Sequence, residues 1–296
     1  MNFAIYQESR KGARPNNQDR TGYARIREAL LMIVADGVGG HPHGEVASQV
    51  AVRYLLEAFQ REVRDRLADP FEFLQQNMGN AHRAIIDFAQ ARGLPETPRT
   101  TCVACVVQDA TAYWGHVGDS RLYHVRDGRI RVRTKDHSRI QQMLDEGRIG
   151  EEAAAGHPDR NKIFNCLGAV TPPQVELSRE SSLKPGDILF LCTDGLWGPL
   201  AGRAIGATLA GNGIMRAIPE LLDAAELRAG GGCDNLSAVG MRWADDPPAV
   251  EEHTTELSLD MESSGKAVTE PTYLSDREIE QAIAHLRDTI RKHSEK

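Results

Sequence analysis

No apolar run in this 296-residue chain approaches the roughly 18 residues that a membrane-crossing helix needs, so no spanning segment is expected. The start, MNFAIYQESRKG, lacks the basic, apolar, then small-residue order of an export signal, and we expect a cytoplasmic protein. Positive charge is not in excess: the net charge is −7, which argues against a nucleic-acid partner. Cysteine is sparse, with Cys102, Cys105, Cys166, Cys192 and Cys233 only. Cys102 and Cys105 form a C-x-x-C, but no second such pair and no ligand-spaced His pair accompanies it, so a zinc reading is weak. The run TTCVACVV is strand-like, and residues three apart in a strand face opposite ways. Buried free thiols in a reducing compartment are the expectation. No Ser-His-Asp order supports a hydrolase triad. No Gly-Lys-Ser/Thr follows the glycines at 211 and 213, so that stretch is a turn rather than a phosphate loop.

What is present is ordinary in bulk, 41% hydrophobic and 26% charged, as in a globular domain. One stretch stands apart: LLMIVADGVGGH, residues 30–41. Its first six residues read as a strand buried on both faces. Asp36 stands where the apolar run stops, and Gly37, Gly39 and Gly40 let the backbone turn and approach something closely. A carboxylate there is costly unless an ion or partner meets it. Taken alone, the stretch fits a divalent-cation site or a strand ending in an Asx turn.

Strands are expected over 2–7, 22–25 and 30–35. Two long amphipathic helices follow, the first carrying Val46, Val50, Tyr54, Leu55, Ala58, Phe59, Val63 and Leu67 at helical spacing. Asp69-Pro70 starts the second, and Gly93 and Pro95 close it. Further strands are expected over 101–107, 112–117 and 122–125, with turns at Gln108-Asp109 and Asp127-Gly128. Short helices around 140–144 and 150–156, a strand over 188–193, helices over 201–210 and 214–229, and a strand over 236–241 complete the domain. Helices inserted between groups of strands, without strict βαβ alternation, favour a layered α+β sandwich over a doubly wound sheet. We expect a domain over 1–244 and an acidic Pro/Ser/Thr-rich linker over 245–274. A C-terminal amphipathic helix over 275–296 follows, opened by the capping box Ser275 to Glu278 and expected to pack on the domain or on a partner.

Four aspartates share one kind of position. Asp36 ends LLMIVA, Asp194 ends ILFLCT, Asp119 follows AYWGHVG, and Asp234 sits just before the last strand. Gathered carboxylates repel one another, and a hard divalent cation such as Mg²⁺ or Mn²⁺ relieves that repulsion.

These residues carry a resemblance. RPNNQDR, VADGVGGH, RTTCVACVV, GHVGDSRLY, TKDHS, LCTDGLWGPL and GGCDNLSAV occur in the order found in the metal-dependent PPM, or PP2C-type, serine/threonine protein phosphatases, in their bacterial form. The resemblance covers roughly residues 2–243. It implies a four-layer α-β-β-α sandwich of two antiparallel sheets, with a dinuclear Mn²⁺ or Mg²⁺ centre between them. Asp36 would bridge both ions, the Gly37 carbonyl would bind one, and Asp194 and Asp234 would hold the other. Asp119 would join a third, weaker site, Asp19 would act through water, and Arg14 would grip the substrate phosphate with its planar fork.

The implied reaction is hydrolysis of phosphoserine or phosphothreonine in proteins, reversing a bacterial Ser/Thr kinase, with no protein nucleophile. In agreement, no cysteine here heads a phosphatase C-x₅-R loop. A non-enzymatic phosphoprotein-binding module would not need all four aspartates. Three residues depart from the family pattern. Gln18 replaces a Glu, Val38 stands where some animal members have a His, and Asn165 stands where many bacterial members have Arg.

Overall fold

A computed structural model describes residues 1–39 and 43–244. Sequence pattern and structure agree on a fold of alternating sheet and helix layers. The chain runs β1 (Asn2–Arg10), β2 (Asp19–Ile26), β3 (Ala29–Asp36), α1 (Gly44–Glu62), α2 (Pro70–Ala91), β4 (Cys102–Gln108), β5 (Thr111–Val117), β6 (Arg121–Arg126) and β7 (Arg129–Arg133). It continues through α3 (Arg139–Asp145), α4 (Glu151–Ala155), the two-residue strands β8 (Glu176–Leu177) and β9 (Ser181–Ser182), and β10 (Ile188–Cys192). It ends with α5 (Asp194–Trp197), α6 (Gly202–Gly211), α7 (Ile214–Ala229) and β11 (Leu236–Ala244). One antiparallel sheet has the order β2-β3-β4-β5-β8, with β9 also on β5; the other has the order β1-β11-β10-β6-β7.

Strand β3 shows why the apolar run is unbroken. Its odd residues, Ala29, Leu31, Ile33 and Ala35, pack under α1 and α2. Its even residues, Leu30, Met32 and Val34, meet Leu189, Leu191, Val239 and Met241 of the other sheet. A third core lies between that second sheet and α6 and α7, around Phe190, Ile205 and Leu222. Three cores between four layers make the α-β-β-α sandwich. Cys102 belongs to the helix-side core and Cys105 to the inter-sheet core, so the C-x-x-C points both ways across one strand, as expected. All five thiols are free and buried, and burial alone pushes that of Cys102 up to about 12.

The local signals mostly hold. The Asp69 carboxylate caps α2, accepting the N–H of Phe71 at 2.9 Å and of Glu72 at 3.0 Å. Asp127 and Gly128 take positive φ in the β6–β7 hairpin. The β4–β5 turn falls at Asp109-Ala110, one residue later than expected, because Gln108 stays paired with Thr111. Helix α1 stops at Glu62, short of Val63 and Leu67. Both are buried, but Val63 is extended and the Gln108 side chain bonds the Leu67 N–H and C=O, each at 3.0 Å. Burial without helix produced the misleading period. Strand β7, RIRVR, was not among the expected strands, although it alternates in period two after the Asp127-Gly128 turn; it forms an arginine-rich edge with a bulge. Among the described residues no helix is long and apolar enough to cross a membrane. The linker and terminal helix expected beyond 245 lie outside the described residues, as does His41.

Candidate metal centre

The aspartates come together because the strand ends do. Asp19 opens β2 and pairs in register with Asp36 at the end of β3. Asp194 follows β10 across the sandwich, Asp234 precedes β11, and Asp119 lies in the turn from β5 to β6. Asp36, Gly37, Asp119, Asp194, Asp234 and Arg14 all line one cleft of about 340 Å³. Asp19 stands behind them, 1% exposed. All seven expected residues therefore meet at one end of the two sheets.

Each is held by backbone geometry. The Asp36 N–H donates to Thr101 Oγ1 at 3.0 Å, and its C=O accepts the Thr101 N–H at 2.8 Å and the Thr100 hydroxyl at 2.9 Å. A side chain at Gly37 would collide with the Gly44 backbone at 2.5 Å, so α1 begins directly against the cleft. A side chain at Gly195 would meet the Asn235 carbonyl at 2.0 Å, which is why the Asp194 and Asp234 segments approach so closely. Asn235 stitches the arginine loop down: its amide donates to the Lys11 and Asn16 carbonyls at 2.8 and 2.9 Å, and its oxygen accepts the Gln18 N–H at 2.9 Å. Arg14 then reaches Asp234 Oδ2 at 2.6 Å from a half-exposed position.

Charge is out of balance here. Burial, with neighbouring carboxylates adding to it, pushes Asp36 and Asp119 well above the ordinary carboxylate range, and raises Asp194. Asp19 is pushed up to about 7 by burial, against the hydroxyls of Thr193 and Ser237. Thr193 Oγ1 donates to Asp19 Oδ2 at 2.8 Å, while Oδ1 is buried with no hydrogen-bond partner among the described residues. A buried carboxylate oxygen without a donor is a costly arrangement. An all-oxygen, anionic set with an orphaned oxygen fits a hard divalent cation, and the residues present therefore suit Mn²⁺ or Mg²⁺.

A profile of the protein phosphatase 2C family matches residues 7–218. The chain belongs to the protein phosphatase 2C family. The serine/threonine phosphatase Stp of Listeria innocua is 32% identical over 195 residues, covering 65% of this chain and 77% of that one. The catalytic domain of PstP, solved in complex with two manganese ions, superposes with a TM-score of 0.69 at 32% identity, over 82% of this chain and 99% of that one. Stp1 of Staphylococcus aureus gives 0.76 at 26% identity, over 82% and 96%. These phosphatases share the two antiparallel sheets flanked by helices, and the chain is a member of an enzyme family of serine/threonine protein phosphatases.

The structure adds residues that the sequence did not single out. Thr101, Thr193 and Asn235 do the holding; Thr193 and Asn235 each adjoin a motif aspartate, whereas Thr101 lies 65 residues from the Asp36 that it holds. Trp197, in the LCTDGLWGPL stretch, is another such residue. It donates its indole N–H to the Asp119 carbonyl at 3.0 Å and carries the Arg121 guanidinium 3.4 Å from its ring centre. Gln18 turns its amide to Glu45 at 3.2 Å. A Glu at 18 would face a second carboxylate there, so the neutral amide relieves a repulsion.

Proposed function

We propose that this chain removes phosphate from phosphoserine and phosphothreonine in proteins by direct attack of water, opposing a bacterial serine/threonine kinase. The observation that supports this reading best is the orphaned oxygen of Asp19, behind a cleft whose carboxylates lack enough positive charge. Two Mn²⁺ or Mg²⁺ ions, when bound, supply charge neutralisation for the phosphate dianion and activation of water at neutral pH. In this reading Asp36, the Gly37 carbonyl, Asp194 and Asp234 would hold the two ions, Asp119 would hold a third, weaker one, and Asp19 would act from behind through water.

The chain's own work is positioning. The threonines at 100 and 101 fix the Asp36 backbone, so the central carboxylate does not wander. Arg14 stands at the cleft mouth, where a phosphate would take donors now shared with Asp234. Val38, which lines the cleft, has no proton to give and so does not protonate the departing alkoxide. The test is phosphate release from a phosphothreonine peptide. Release is expected with Mn²⁺ and not with chelator; turnover that a chelator leaves unchanged would sink the reading.

A further inference from the structure

Apart from the aspartates, the described residues bring another set of ligand-type side chains together. His116 on β5, His137 after β7 and Glu176 on β8 each place one nitrogen or oxygen within 4.8 Å of the others. Proton positions decide what this set is. His137 Nδ1 faces the Gly118 N–H at 3.1 Å and the Asn165 side-chain nitrogen at 2.9 Å. Neither can accept. The Asn165 amide is fixed in that sense, because its oxygen accepts the Gln174 N–H at 3.1 Å and its nitrogen donates to the Gln174 carbonyl at 2.7 Å. Nδ1 is therefore a lone pair, and the single ring proton sits on Nε2, 3.3 Å from Glu176 Oε2. Burial and then the stacked His116 ring lower the imidazole's pKa, which keeps it neutral. A metal on Nε2 would have to displace that proton with no second nitrogen able to take it. His116 joins this set by stacking alone, its Nε2 pairing with the Lys135 carbonyl at 2.7 Å, so the hydrogen-bonded chain runs through His137, from Glu176 to Asn165 and Gly118.

The chain ends on the cleft. His137 holds Gly118 at two points, since its own N–H donates to the Gly118 carbonyl at 3.0 Å. Asp119 is the next residue. On the other side, the His137 carbonyl accepts the Phe164 N–H at 3.0 Å, and Asn165 follows. The same segment, 138–167, sends Asn161 and Ile163 into the cleft. We propose that His137 is a positioning residue that sets Asp119 for its ion and, through Asn165, ties that setting to segment 138–167. Strain or contact at one is then felt at the other. The inference rests on the reading of the cleft aspartates as metal ligands.

The test uses the full chain and Mn²⁺ alone, titrated by calorimetry, with the Mn²⁺ dependence of phosphate release as a second readout. H137F keeps a ring against His116 and removes the acceptor; H137N keeps an acceptor where Nδ1 was. H137F is expected to weaken the weakest Mn²⁺ step about tenfold, as loss of one buried hydrogen bond does. H137N is expected to recover it to within about threefold of the parent. N165A is expected to weaken it about threefold, and H137F/N165A to match H137F, because Asn165 acts through the ring. A folded H137F or N165A with the parent isotherm would overturn the proposal, and so would losses that multiply in the double variant. Should H137F fail to fold, N165A and H137N decide it by the same isotherm. A parent chain that binds Mn²⁺ but releases no phosphate would sink the phosphatase reading instead.

Discussion

Strand β10 has an aspartate near each end, and the two live in opposite surroundings. Asp187, just before it, is fully buried. Arg126 grips it with Nε at 2.7 Å and Nη2 at 2.6 Å, His124 Nε2 lies at 3.0 Å, and the Lys184 N–H donates at 2.8 Å. Burial pushes its carboxyl up, but those hydrogen bonds outweigh burial and hold it below the ordinary range. Asp194, just past the other end, is pushed up by burial and then by the neighbouring Asp234 carboxylate. One end of the strand is closed by the chain's own cation. The other is built around charge that the chain does not cancel. A carboxylate satisfied from within serves the fold; a set left unsatisfied at one cleft is spending stability on a ligand.

Exchanging charge at the two ends should break the protein in two different ways. Asp36→Asn or Asp194→Asn is expected to lower Mn²⁺-dependent turnover on the order of 10³-fold, about 4 kcal/mol of transition-state stabilisation. Stability in chelator should be unchanged or higher, because a repulsion is removed. Asp187→Asn should do the reverse: a loss of about 3 kcal/mol in denaturant melts, with the Mn²⁺ isotherm of the folded protein unchanged. Equal destabilisation by both kinds of variant would erase the distinction.

That contrast explains what the sequence shows and what it hides. Strand-end aspartates followed by glycine are legible, because the apolar run, its stop and the turn are all local. The layers are legible too, because Leu30 to Ala35 can only be buried on both faces. Partners chosen across the fold are not. Asp187 reads like any loop acid before a strand, and nothing near it in sequence announces Arg126 or His124. His116 and His137 lie too far apart for ligand spacing, and they meet only because β5 and the end of β7 converge on β8. Val63 and Leu67 mislead for a related reason: burial repeats at a helical interval although the helix has ended.

The cleft aspartates and Asp187 also respond oppositely to pH. Aspartates of an unfolded chain titrate near pH 4, whereas folded, metal-free Asp19 titrates at about 7. Between those values the folded state holds the extra proton, so stability falls as pH rises through the window and is regained on acidification. Asp187 runs the other way, but its contribution is lost only as pH falls below the ordinary carboxylate range, through its lowered folded value. In chelator the protein should therefore melt higher at pH 5.5 than at 7.5. Mn²⁺ should close or reverse that gap, since ions favour the ionised carboxylates. A chelated protein that melts lower at pH 5.5 contradicts the charge imbalance.

The smallest effect is expected at the far end of the chain. Among the described residues the last strand, β11, pairs with β1 along its full length, and the Trp243 N–H donates to the Asp187 carbonyl at 2.8 Å. Every cleft residue lies before Leu236. Residues 245–264 carry seven acidic side chains and no Lys or Arg. Truncation after Asp245 should leave turnover of a small aryl phosphate within about twofold and the melting temperature within a few degrees. Turnover of a phosphoprotein is the more discriminating measure. If it falls while the small substrate is unaffected, the terminal segment acts on partner choice. A large loss on both substrates would mean that the segment completes the domain, and that the balance of charge across β10 is set partly from beyond Ala244.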